Sequence, residues 1–86
     1  MVVLTYDQVK RAPNKVVGSR AVERALKKRL AHTVVIAEDA DQHLLAELIQ
    51  LAEASGIPVE SVDSMHKLGR AAGIDVPTSA VALLKG

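Results

Sequence analysis

KVVGSRAVERALKKRL, residues 15–30, reads as a short strand, a Gly-Ser turn and a basic amphipathic helix. Ser19 is expected to cap the helix, because a hydroxyl can accept from an orphan amide of the first turn. Gly18, with no Cβ, lets another backbone or a ligand come close to that helix end. Val22, Ala25, Leu26 and Leu30 recur at helical spacing and are expected to face a core. Arg20, Arg24, Lys27 and Lys28 recur on another face. The free N–H groups of a helix N-terminus favour anions. Two arginines in the first turns add planar forks suited to phosphate or to a guanine edge. A surface helix with a solvated basic face would show the same pattern, so the stretch alone leaves both readings open.

Working outward, Thr5 to Ala12 reads as a short helix that Pro13-Asn14 ends. Val16-Val17 is a very short strand. Beyond the basic helix, His32-Thr33 read as its exit. The unbroken apolar run Val34-Val35-Ile36-Ala37 then reads as a strand buried on both faces. The next helix starts at the N-cap Asp41, carries Leu44, Leu45, Leu48, Ile49, Leu51 and Ala52 on a broad apolar face, and stops at Gly56-Ile57-Pro58. Val59 to Val62 is a strand. Ser64 caps a helix over Met65 to Ala72 that Gly73 closes; Asp75 to Ser79 is a loop, and Ala80 to Leu84 the last strand. The order α, β, α, β, α, β, α, β with short connections predicts an α/β layered sandwich on a four-stranded sheet, residues 1–86 forming one domain.

Composition bounds the function. Of 86 residues 49% are hydrophobic, yet Tyr6 is the single aromatic, which excludes RNA-binding platforms that stack bases on sheet aromatics. Without cysteine there is no disulfide framework, thiolate nucleophile or Cys-based zinc site. No apolar run is long enough for a membrane span and no signal-peptide core is legible, so a cytoplasmic protein is expected. The net charge is only +1, but residues 1–37 hold eight Lys/Arg against Asp7 and Glu23. Residues 38–86 hold three Lys/Arg against eight Asp/Glu. A basic end suits a polyanion, provided the fold keeps the two halves apart.

Little points to catalysis. Glu38, Asp39 and Asp41 follow a strand, where α/β folds place ligands, and could hold Mg²⁺ or supply a nucleophile. Acidic residues also collect at helix N-termini for capping reasons alone, and no second cluster or placed lysine completes a phosphoryl-transfer site. His32, His43 and His66 stand at spacings that form no metal pair. No Gly-x-Gly-x-x-Gly or Walker loop occurs. The expectation is a non-enzyme without cofactor or metal. Ile74 and Val76 could pack on unstacked bases or on a partner, or could complete a helix cap and begin the last strand.

Four separated blocks carry a resemblance: GSRAVERAL at 18–26, VVIAEDAD at 34–41, GIPVESV at 56–62 and KLGRAAGIDVPTSAVAL at 67–83. Together they are similar to the kink-turn RNA-binding ribosomal protein family of L seven Ae and L thirty e, most of all to its small bacterial YbxF-type members. The resemblance runs over nearly the whole chain from Lys15 onward. It implies a three-layer α-β-α sandwich on a mixed sheet that captures RNA kink-turns. The helix after the Gly turn would enter the widened major groove against tandem sheared G·A pairs. The loop before the last strand would cover the unstacked bases at the bend. By position, the groove residues would be Gly18, Ser19, Arg20, Ala21 and Arg24, and the loop residues Ile74, Asp75 and Val76. Asp41 falls where the family often touches the flipped-out nucleotide. Lys15, Lys27 and Lys28 complete the expected RNA-binding set.

The chain departs from the better-known members at three places. Arg20-Ala21 stands where archaeal and eukaryotic members usually carry Asn-Glu, Val17 where a basic residue is common, and Met65 where they have a lysine. The balance shifts toward arginine and phosphate contacts. The implied partner is a structured RNA containing a kink-turn (ribosomal RNA, a riboswitch or another non-coding RNA), bound by a monomer with no membrane role. The alternative is a small ribosomal or adaptor protein that binds ribosomal RNA through the basic helix without kink-turn selectivity.

Overall fold

The structure, a computed structural model, describes the backbone of residues 2–86 and the side chains of residues 5–86. Its elements are α1 (Val2–Arg11), β1 (Lys15–Val17), α2 (Ser19–Lys27), β2 (Ala31–Ala37), α3 (Gln42–Ala54), β3 (Val59–Val62), α4 (Met65–Ala71) and β4 (Ala80–Leu84). The eight elements come in the expected order, and α1 begins three residues before Thr5. The sheet order is β1-β4-β2-β3. β4 runs antiparallel to both neighbours, and β2 pairs with β3 in parallel, so the sheet is mixed.

Side-chain alternation divides the core in two. Val34, Ile36, Ala80 and Ala82 face the α2–α3 layer with Val22, Ala25, Leu26, Leu45 and Leu48. Val35, Ala37, Val81 and Leu83 face the other layer with Val9, Val62 and Leu68 from α1, β3 and α4. The β2 run is buried on both faces, as its unbroken apolar sequence requires. Each fully buried valine or leucine contributes roughly 1.5–3 kcal/mol of burial. Tyr6 fastens α1: its hydroxyl donates to Asp63 Oδ1 at 2.6 Å and accepts from the Ser64 amide at 3.2 Å.

Three local expectations are corrected. Ser19 does not cap α2. Gly18 is the N-cap residue, at φ 100°, and no side chain caps this helix. Leu30 is not in the core but 48% exposed. The helix ends at Lys27, Arg29 turns left-handed at φ 58°, and the Leu30 amide folds back on the Ala25 carbonyl at 2.9 Å. That conformation costs an L-residue about 1–2 kcal/mol relative to right-handed helix. His32 and Thr33 are not an exit but part of β2. The register with β4 slips between Ala31 and Thr33, a bulge that leaves His32 exposed between two buried neighbours. Val76 lies in the expected loop before β4 and is 60% exposed, so of its two open readings the structure excludes the one in which it begins the last strand.

Candidate nucleic-acid interface

The pairing pattern decides which loops meet. β1, β2 and β3 all end at the same edge of the sheet, where β4 begins: Val17 pairs with Val81, Ile36 with Ala80 and Ala37 with Val62. α2, α3 and α4 therefore all start at that end, the one where parallel strands present ligand-binding loops. The Gly18 amide donates to the Ala80 carbonyl at 2.9 Å, which ties the start of α2 to the start of β4. Gly18, Ser19, Arg20, Ala21, Asp41 and the loop that delivers Ile74, Asp75 and Val76 to β4 are brought to one end.

The α2 N-terminus is open. Val22 is the first residue whose amide reaches back into the helix, to the Gly18 carbonyl at 2.9 Å, and no side chain covers the amides before it. The left-handed φ of Gly18 sets the direction in which α2 leaves the sheet, and apart from its chain neighbours no atom of the described residues lies within 4 Å of where its Cβ would stand. Arg20, Glu23, Arg24 and Lys27 line a shallow depression on the outer face of α2. Lys27 pairs with Glu23 at 3.4 Å, but both ends are exposed and the pair is screened, and among the described residues Arg20 and Arg24 have no ion-pair partner. On one flank a hollow of about 190 Å³ separates Ser19, Arg20 and Glu23 from Leu44, Glu47, Leu48 and Leu51 of α3. On the other a hollow of about 130 Å³ is walled by Val16, Ala21, Ala25, Leu30 and Leu84, with Arg24 and Lys28 beside it.

The loop after α4 is held firmly, and by a residue that the sequence reading passed over. A Cβ on Gly69 would run into the Val76 carbonyl oxygen and stand 3.1 Å from the Val76 carbonyl carbon, so only glycine allows the loop backbone to lie on α4. The Ile74 amide donates to the Gly69 carbonyl at 3.0 Å, and the Thr78 amide to the Met65 carbonyl at 3.1 Å. Thr78 is buried and its hydroxyl donates to the Ala80 carbonyl at 3.1 Å. Asp75 and Val76 remain outside this framework and exposed, and Ile74 is half-buried. A lone glycine inside a helical pattern was the available signal.

Lys15 is not brought to this end. It lies at the start of β1, opposite Leu83, and its Nζ donates to the Ala12 carbonyl at 3.1 Å, closing the exit from α1. Lys28 lies beyond the last turn of α2. The basic half of the sequence is also split between layers, since α1 carries Lys10 and Arg11 on the sheet face opposite α2.

The carboxylates at the loop end serve the fold. Asp41 Oδ1 accepts from the His43 amide at 2.8 Å and the Leu44 amide at 3.3 Å, the expected cap of α3. Asp39 accepts from the Met65 amide at 2.9 Å, and Glu38 from the Ser61 hydroxyl at 3.0 Å. Among the described residues no group of three His, Asp or Glu is arranged to hold a metal ion. Asp63 receives the Tyr6 hydroxyl, which holds its carboxyl below the usual carboxylate range. Burial and the bond to Asp63 push the Tyr6 phenol up to about 12. No described helix is long and apolar enough to cross a membrane.

These features define a three-layer α-β-α domain that presents an open helix N-terminus, a cationic helix face and a braced loop from one sheet end. The chain belongs to the ribosomal protein L7Ae/L30e/S12e/Gadd45 family, which residues 3–86 match. An RNA-binding protein of Bacillus pumilus is 40% identical over 81 residues, 94% of this chain and 99% of that one. The RNA-binding protein YbxF of Geobacillus stearothermophilus is 40% identical over 82 residues, 95% of this chain and all of its own length. Among solved structures, the 15.5kD RNA binding protein of Giardia lamblia superposes with a TM-score of 0.91 at 26% identity, over 98% of this chain and 73% of that one.

Proposed function

We propose that this chain is a non-enzymatic, cytoplasmic RNA-binding domain that acts as a monomer and stabilises kink-turns in structured RNA. The observation that carries the proposal is the pairing of an uncapped α2 N-terminus, tied to β4 at Gly18, with an exposed Val76 on a loop that Gly69 braces. A kink-turn offers the two matching features: an opened groove lined by phosphates and base edges, and unstacked bases at the bend. In this reading the Ser19, Arg20 and Ala21 amides and the Arg20 and Arg24 guanidinium groups meet the groove. Lys27 and Lys28 meet phosphates, and Ile74, Asp75 and Val76 cover the bend. Asp41, with one carboxylate oxygen already committed to the α3 cap, stands near the extruded nucleotide. Lys15 acts at most from the far end of β1.

The mechanism needs no bond made or broken. A surface shaped to the kinked RNA binds that conformer more tightly than the extended one, and the difference in affinity is the shift in equilibrium. Family membership and the RNA-binding names of the relatives support an RNA partner. The deciding experiment titrates the protein with a kink-turn RNA and with a continuous duplex of equal length at fixed salt, since phosphate contacts make both affinities salt-dependent. Preference for the kink-turn is expected. Equal affinities would leave an adaptor that holds RNA through its basic helix alone.

A further inference from the structure

Three helices of this chain close in the same way, and one of them does so at a disadvantage. Leu30 and Arg29 donate to Ala25 and Leu26 at the end of α2, Ile57 and Gly56 to Ala52 and Glu53 after α3, and Ile74 and Gly73 to Gly69 and Arg70 after α4. In each case the first residue past the cap is left-handed: Gly56 at φ 69°, Gly73 at φ 89°, and Arg29 at φ 58°. Glycine takes that conformation without strain, and this chain uses it twice. At α2 it retains an arginine whose side chain is exposed and makes no hydrogen bond or ion pair within the described residues. Attraction of a cation to the helix C-terminus does not explain the choice, because Lys27 and Lys28 already stand there.

The surroundings of Arg29 point outward to an anion. The Lys85 amide donates to the Leu30 carbonyl at 2.8 Å, which brings an exposed lysine beside the same turn. The acidic residues nearest in sequence are Glu23, engaged with Lys27, and Glu38, engaged with Ser61 at the other end of the sheet; none follows Asp75. Arg20, Arg24 and Lys28 form an i, i+4 row with steps of about 6 Å along α2, and Arg29 follows the last of them in the left-handed turn that ends the helix. A polyanion lying along α2 would meet this corner next.

We infer that Arg29 and Lys85 form a second phosphate-contacting patch, which grips the backbone of a stem flanking the RNA element held at the α2 N-terminus. The inference rests on the proposed RNA reading of that N-terminus and extends its footprint by the length of the helix. Contacts of this kind carry no base specificity and depend steeply on salt.

The test compares wild type, Arg29→Gly, Lys85→Ala and the double variant on two kink-turn RNAs, one with short stems and one with each stem lengthened by a helical turn. Wild type should bind the longer RNA several-fold more tightly. The double variant should lose that gain, keep its affinity for the short RNA, and show a salt slope on the long RNA lower by about 2, close to 0.9 for each lost phosphate contact. Arg29→Gly should at the same time melt a few degrees higher, because the strain is relieved. A higher melting temperature with the long-stem affinity intact would reduce Arg29 to a poor cap and overturn the inference. So would equal wild-type affinity for the two RNAs, while leaving kink-turn binding untouched. Failure of wild type to prefer a kink-turn over a duplex would instead bring down the underlying reading, and the inference with it. Loss of binding to phosphatidylserine vesicles in the double variant, with RNA binding unchanged, would assign the patch to an anionic membrane surface and overturn it as well.

Discussion

Replacing Gly69 by alanine sets two known quantities against each other. Alanine is favoured over glycine in a helix interior by roughly 0.8–1 kcal/mol, so on an unobstructed surface the change would stabilise the protein. Here the new methyl would collide with the Val76 carbonyl oxygen and stand 3.5 Å from the Pro77 Cα, both backbone atoms with no rotamer to yield. The loop must move by about an ångström to restore ordinary contact. Overpacking of this kind costs about 1–3 kcal/mol. Moving the loop also strains the bonds from Ile74 to Gly69 and from Thr78 to Met65, each with a net worth of about 0.5–1.5 kcal/mol. The balance is a loss of about 1–2 kcal/mol, which lowers Tm by roughly 5–15 °C in a domain of this size. RNA affinity should fall about tenfold or more, since the proposed cover of the bend by Val76 is displaced with the loop. Urea unfolding and a kink-turn titration on the same preparation measure both. A rise in Tm with unchanged affinity would refute the argument, because it would mean that α4 does not hold the loop.

Val76→Asp should weaken RNA binding by more than tenfold with Tm nearly unchanged, because a side chain 60% exposed adds little to the core; a large fall in Tm with intact binding would refute it. Ala21→Glu places an acceptor for guanine N–H groups in the first turn of α2, where the dipole favours it. The ratio of affinities for an intact kink-turn and one with its sheared G·A pairs made Watson–Crick should rise, and an unchanged ratio would remove Ala21 from the groove. Stability should depend on the Tyr6–Asp63 bond at both pH extremes. The Tyr6 contribution is complete below pH 10 and is lost as pH rises through about 12, because the folded phenol holds its proton more tightly. The Asp63 contribution is complete above the ordinary carboxylate range and is lost as pH falls through its depressed value. Tyr6→Phe should flatten both limbs in pH-dependent melts; limbs as steep as those of wild type would show that the bond contributes nothing.

Much of the fold was legible because single residues signalled it chemically. A four-residue aliphatic run has no polar face to offer water, so Val34 to Ala37 had to lie between two layers. Asp41 and Ser64 cap as expected, and Gly56 and Gly73 end helices in the conformation that glycine alone takes without cost. The failures share a cause: each depended on a partner distant in sequence, or on strain. Ser19 carries a suitable hydroxyl, but the bond from Gly18 to Ala80 places the chain so that α2 starts one residue earlier than a serine cap allows. Leu30 fits the helical period, but Arg29 accepts a left-handed turn that composition does not reveal and throws the leucine outward. The His32 bulge follows from the register with β4. At the candidate site, the cationic row on α2 was read directly from spacing, whereas the bracing role of Gly69 needs the Val76 backbone that lies across it. The displacement of Lys15 to the far end needs the direction of β1.

The position of β4 has a consequence for how the protein acquires its shape. β1 and β2 do not pair with each other; each pairs with β4, the strand that the sequence supplies last of the four. The parallel unit β2-α3-β3 can assemble from neighbouring sequence, but β1 must wait for a partner near the opposite end of the chain. Contacts of such long separation close slowly, because chain entropy is lost before any pairing rewards it. The amide of Gly18 reaches the Ala80 carbonyl only where β4 is in place, so the direction of α2 depends on that closure. A half-folded chain would carry the same arginines without the surface that aims them, and selective RNA capture would report that the whole sheet has closed.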